Sequence, residues 1–113
     1  MRVLVCGSRH FQDYELLKEI LDGFEITTII EGEARGADRL AGEYGRRHGI
    51  HVIPFPALWD KHGRAAGPIR NTQMLVEGRP ELVIAFRAKD SRGTQNMIDQ
   101  ARKAGVEVVV VDI

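Results

Sequence analysis

Five short apolar runs punctuate this chain and are separated by longer amphipathic stretches. The runs are Val3-Leu4-Val5-Cys6, Ile26 to Ile30, Val52-Ile53, Leu82 to Phe86 and Val108 to Val111. Their length suits strands, and most of them carry no polar alternation. A strand of that kind has to be covered on both faces, as in a parallel sheet packed between helices.

The intervening stretches carry helix boundaries. Asp13 caps a first helix with the stripe Leu16, Leu17, Ile20 and Leu21, and Gly23 ends it. A second runs from Ala37 to His48 with Leu40, Ala41 and Tyr44 on one face, closing at Gly49. A third starts at Gly67-Pro68, where proline's missing N–H costs nothing, and ends near Gly78-Arg79-Pro80. A fourth opens at Thr94, turns Met97, Ile98, Ala101 and Ala104 inward, and stops at Gly105. Strands and helices alternate from end to end, which predicts an α/β fold. The expectation is a single Rossmann-like domain over residues 1–113, with a five-stranded parallel sheet, right-handed crossovers and helices on both faces. In the order 3-2-1-4-5 the chain reverses between strands 1 and 4, and ligands in such sheets bind beyond the carboxyl ends of the strands at that reversal.

Charge narrows the partners. Sixteen Lys and Arg balance 16 Asp and Glu, so there is no basic excess of the kind that captures nucleic acid, and any anion site has to be local. Cys6 is the only cysteine; it cannot form an internal disulfide, which fits a reducing cytosol. No stretch approaches the roughly 20 apolar residues of a membrane span. The four histidines lack metal-ligand spacing, so no metal is expected, nor any cofactor.

The segments placed at the sheet's carboxyl end read CGSRHF, EGEARGAD, FPALWDKHGRAAGPIRN and RAKDSRGT. Gly7, Gly36 and Gly93 stand at or just before expected helix starts, where unpaired N–H groups and the helix dipole favour an anion. Arg9, Arg35, Arg70 and Arg92 add guanidinium forks suited to phosphate or carboxylate. Arg70 and Asn71 fall in the first turn of a helix, where a cation invites an anionic partner. Glu31, ending the second strand, suits acid or base work or a ribose contact. Asp38 suits ribose too, or it favours its own helix start. Trp59 stacks on a base, covers a sheet edge or packs in a subunit interface. Neither G-x-G-x-x-G after the first strand nor G-x-x-x-x-G-K-[ST] anywhere is present, which argues against a Rossmann dehydrogenase or a P-loop nucleotidase. Cys6, inside an apolar run, reads as a core residue.

Four motifs in order carry a resemblance: Gly7-Ser8-Arg9; Gly32 followed by Ala34-Arg35-Gly36-Ala37-Asp38; Ala66-Gly67-Pro68-Ile69-Arg70-Asn71 with Met74; and Gly93-Thr94. Together they resemble the SLOG superfamily, and within it the YspA-like branch found among bacterial and phage proteins. The resemblance implies a Rossmann-like sheet that binds a nucleotide or a nucleotide-derived molecule. Its relatives include cytokinin-activating phosphoribohydrolases, the DNA-processing Smf proteins, and sensor domains for signals derived from ADP-ribose. Two departures stand out. The hydrolase pattern has a catalytic glutamate three residues after Gly-Thr, where this chain has Met97. The branch also implies a glycine at position 33, where Glu33 stands.

The residues therefore predict a binding module that senses or sequesters a nucleotide-derived small molecule, with Gly7, Ser8, Arg9, Gly32, Arg35, Gly36, Asp38, Trp59, Arg70, Asn71, Gly93 and Thr94 as its site. The alternative is a nucleotide N-glycosidase with Glu31 stabilising positive charge at the sugar carbon. A homo-oligomer is expected, paired through the helix face around Met74, Leu75 and Val76, because three consecutive apolar residues cannot all face one core. No membrane or nucleic-acid partner is expected.

Overall fold

Neighbouring side chains on a strand point to opposite faces, and the first strand, β1 (Arg2–Gly7), shows the consequence. Val3 and Val5 pack on one side with Leu17, Leu21 and Ala41. Leu4 and Cys6 pack on the other with Met74, Met97 and Ile98. All four strand residues are buried, so an unbroken apolar run is what this position in the fold requires.

The computed structural model describes residues 1–113. β2 (Thr28–Glu31), β3 (His51–Pro54), β4 (Leu82–Arg87) and β5 (Glu107–Asp112) join β1 in one all-parallel sheet with the order β3-β2-β1-β4-β5. The expected topology is therefore the observed one. Helices α1 (Tyr14–Leu21) and α2 (Ala37–Arg47) supply one apolar layer, and α4 (Ala66–Gly78) and α5 (Arg92–Lys103) supply the other. A short helix, α3 (Trp59–His62), and a 3₁₀ turn over Gly63–Ala65 precede α4. No helix is long and apolar enough to cross a membrane.

Several boundaries differ from expectation, each for a local reason. β2 begins at Thr28 instead of Ile26, because its ladder partner β1 begins at Arg2 and the two are in register there. β3 is longer than Val52-Ile53 and ends on Pro54, which an edge strand tolerates. Full coverage on both faces holds for β1, β2 and β4, whereas the edge strands β3 and β5 are only partly buried. α4 starts one residue early, at Ala66, which leaves Pro68 still within the turn that needs no N–H partner. α5 starts at Arg92 with Ser91 as its N-cap, two residues before Thr94, and Ala104 is exposed beyond its end. Asp13 caps α1 as expected, accepting the Leu16 N–H at 3.1 Å. On α4, Met74 enters the core while Val76 is 68% exposed.

Two of the glycines expected to cradle phosphate are required by packing. Gly7 ends β1 and starts no helix; a Cβ on it would lie 2.8 Å from the Ala37 side chain and closer still to the Phe86 carbonyl. Gly36 has φ +78°, and a Cβ there would strike the Ser8 carbonyl and the Arg9 backbone. The first two loops thus meet backbone to backbone, joined by the Ala37 N–H donating to the Ser8 carbonyl at 3.2 Å.

Candidate functional site

After β1 the chain crosses toward β2, and after β4 it crosses toward β5, so the loops at these two strand ends diverge. The gap they leave is the crevice where ligands bind in open parallel sheets. A cleft of about 390 Å³ fills it, within the usual range for small-molecule sites.

The structure brings most of the candidate residues into this cleft. Gly7, Ser8 and Arg9 come from the end of β1, and Asp38 from the first turn of α2. Trp59 comes from α3, Arg70 and Asn71 from α4, and Gly93 and Thr94 from the start of α5. Gly32, Arg35 and Gly36 do not line it. Gly32 matters indirectly: a side chain there would collide with the Arg70 guanidinium and Asp38. Arg35 is exposed and lies outside it. Glu31 is also elsewhere, in a separate polar cleft of about 300 Å³ with Glu33, Arg39, Gly42 and Arg46. Its carboxylate accepts the Glu33 N–H at 2.5 Å, and burial pushes it up to about 7 against that hydrogen bond.

Sequence reasoning passed over some lining residues. Cys6, Gly67 and Met74 form part of the wall; Cys6 read as core, and Met74, expected on an oligomer face, is buried in the core as well. Burial, helped by the charge of Asp38, drives the Cys6 thiol far up, which keeps it from acting as a nucleophile. His10, Asp90 and Ser91 also line the cleft. They lie inside segments already singled out, and their polarity at a strand end was the available signal.

A hydrogen-bonded frame holds the cleft's middle. Arg70 Nη1 donates to the Gly32 carbonyl at 2.6 Å, and Arg70 Nε donates to Asn71 Oδ1 at 3.1 Å. Asn71 Nδ2 in turn donates to the Gly93 carbonyl at 3.3 Å and to Asn96 Oδ1 at 3.0 Å. One turn of α4 therefore ties the loop after β2 to the start of α5. Asp38 is buried, and its Oδ2 accepts the N–H groups of Gly32 at 3.2 Å and Ala34 at 3.4 Å. Burial pushes its carboxyl up to about 6, opposed by the nearby Arg70 charge and these two hydrogen bonds.

The start of α5 is different, because its donors are unused. The N–H groups of Gly93 and Thr94 and the Thr94 hydroxyl have no partner within the protein, although Thr94 is only 5% exposed. A Cβ on Gly93 would meet nothing within 4 Å, so packing does not demand glycine there as it does at Gly7 and Gly36. Arg9, Arg70 and Arg92 outnumber Asp38 and Asp90 around the cleft, which makes it locally cationic in a chain of zero net charge.

The family described as "YspA, cpYpsA-related SLOG family" matches residues 1–62. The chain belongs to this SLOG family. The Gene 61 protein of Mycobacterium phage D29 is 34% identical over 118 residues, covering 96% of this chain and 94% of that protein. Among solved structures, DNA processing protein A (DprA) from Streptococcus pneumoniae has a TM-score of 0.78 at 21% identity. The match covers 96% of this chain and 49% of that one, so the chain spans about half the length of DprA and shares its fold. The SLOG match over residues 1–62 contributes the half of the cleft from Cys6 to Trp59, and α4 and α5 complete it.

The departure at position 33 also has a structural meaning within this SLOG chain. Glu33 has φ +57°, a left-handed conformation that costs a side-chain-bearing residue about 1 to 2 kcal/mol. Glycine adopts it freely but loses more entropy on folding, by about 0.5 to 1 kcal/mol. Glu33→Gly is therefore expected to stabilise the protein by about 0.5 kcal/mol, read as a higher urea midpoint with an unchanged slope. A lower midpoint would contradict this account of the loop.

Proposed function

We propose that this SLOG domain binds a nucleotide or nucleotide-derived small molecule, with the anionic group at the start of α5. Family membership makes it a Rossmann-like domain of a nucleotide-related superfamily. The observation that carries the finer reading is the set of unspent donors at Gly93 and Thr94 inside a cationic cleft. Helix N-termini with free N–H groups stabilise phosphate, and a glycine with open space in front of it lets phosphate approach the backbone. The Arg9 and Arg92 side chains are exposed at the rim and supply charge that needs little rearrangement to meet the ligand.

The N-glycosidase alternative loses its candidate catalyst, because Glu31 lies in the other cleft and the buried carboxylate facing this one is Asp38. Binding without cleavage is the reading that the side chains support. A ligand at 100 times its dissociation constant should stabilise the fold by about 2.7 kcal/mol, enough for a clear rise in melting temperature. Thermal melts with AMP, ADP-ribose, NAD and cyclic dinucleotides, followed by chromatography of the mixtures, test both halves. A shift with intact nucleotide supports binding. No shift with any of them, and none co-purifying, removes the proposal; release of free base restores the hydrolase reading.

A further inference from the structure

Resting on that reading, we infer that the uncommitted oxygen of Asp38 accepts a hydrogen bond from a ribose hydroxyl of the bound nucleotide, so that the cleft takes ribonucleotides in preference to their deoxy counterparts.

The two walls of the cleft have opposite chemistry. At the start of α5 the unused groups are donors. At the start of α2 the unused group is an acceptor: Asp38 Oδ2 is occupied by Gly32 and Ala34, while Oδ1 has no partner and opens to the cleft. Asp38 as a residue is only 4% exposed, so a ligand that closes the cleft displaces the water at Oδ1, and an acceptor left unpaired behind it then costs free energy. The absent side chain at Gly32 leaves room for this carboxylate and the Arg70 guanidinium together, which fixes the acceptor in place before a ligand arrives.

The charges determine what that acceptor can receive. A phosphate oxygen would be repelled by the carboxylate and is better served by α5. An ammonium group would enter a cleft that already holds Arg9, Arg70 and Arg92. A neutral hydroxyl has neither difficulty, and the ribose phosphate of a nucleotide is anionic at one end and carries hydroxyls at the other. A site built to pair with a hydroxyl discriminates strongly against the analogue lacking it, because its own buried group is then left without a partner.

Isothermal titration of the full chain with 5′-AMP, 2′-deoxy-5′-AMP and 3′-deoxy-5′-AMP tests the inference. The expected result is a loss of about ten- to a hundredfold in affinity for at least one deoxy analogue. Asp38→Asn, whose amide oxygen keeps the Gly32 and Ala34 bonds, should abolish most of that difference. If the variant does not fold, the wild type still decides. At the discriminating position a fluorine, which cannot donate, should bind no better than hydrogen. Equal binding of all three sugars, retained discrimination in Asp38→Asn, or a fluoro analogue that binds like AMP overturns the inference and leaves nucleotide binding standing. If none of the nucleotides binds, the proposed function falls and takes the inference with it.

Discussion

Replacing Met97 by glutamate is expected to cost more than about 4 kcal/mol of stability at neutral pH, not to create a hydrolase. The phosphoribohydrolase pattern places its catalytic glutamate at this position, so the substitution restores that glutamate, while Asp90 and Ser91 still stand where the pattern has two glycines. Met97 is fully buried, packed in the layer that holds Leu4, Ile30, Met74, Val83 and Ile98. A carboxylate there has no partner, and burying an unpaired polar or charged group while losing the methionine's contacts belongs to the few changes that cost more than about 4 kcal/mol. A domain of this size has about 5 to 15 kcal/mol in all. Circular dichroism melts of Met97→Glu beside Met97→Leu check this. Met97→Leu should lose less than about 1.5 kcal/mol as a volume-conserving swap. A Met97→Glu protein that melts with the wild type at pH 7.5 would show that the position opens to the cleft and would revive the enzymatic reading.

Arg70→Ala should produce the largest loss of nucleotide affinity among the exposed and half-buried cleft residues, about 1.5 to 3 kcal/mol if Arg70 makes a charge-assisted bond to the ligand. Nε and one N–H of Nη1 are committed inside the frame, to Asn71 and Gly32, which leaves the two N–H groups of Nη2 and the second of Nη1 for a ligand. The same change leaves the Gly32 carbonyl short of a donor and Asp38 short of a countercharge, so stability should fall as well. Binding is therefore measured by titration well below the lowered melting temperature. Arg70→Lys provides the comparison, retaining charge but not the fork. Wild-type affinity in Arg70→Ala would mean that Arg70 only builds the frame.

The strand runs show why so much of the fold was legible. Leu82 to Phe86 is unbroken because β4 is sandwiched between two helix layers, and that demand is written locally in residue type. Helix edges were less legible: Ser91 holds the N-cap position of α5 without a side-chain capping bond, and Trp59–His62 coils into a turn of helix inside what reads as a Pro/Gly-rich loop. Such edges depend on a few hydrogen bonds and shift by a residue or two at little cost.

Glu31 illustrates the harder part. It ends β2 directly after Ile29, which faces the α1 and α2 layer, and Ile30, which faces α4 and α5. Alternation sends Glu31 with Ile29, beside Gly42 of α2 and away from the main cleft. A shift of one residue would have reversed this, so the parity had to be known before the side chain's direction could be read. Asp38, one loop later, arrives in the cleft that Glu31 misses.

Taken alone, the sequence determined the number and order of strands and helices, the parallel sheet and the loops at its carboxyl end. Hydrophobic periodicity and turn chemistry act over a few residues and are visible in any short window. Tertiary structure alone decided which glycines serve packing and which leave space. Gly7 and Gly36 are pressed by Phe86, Ala37 and Ser8, whereas Gly93 faces open volume. It also decided that Arg70 reaches across 38 positions to the Gly32 carbonyl and that the donors of Thr94 stay unspent. These are contacts between distant segments, set by how layers pack and strands twist, and no local window of residues contains both partners.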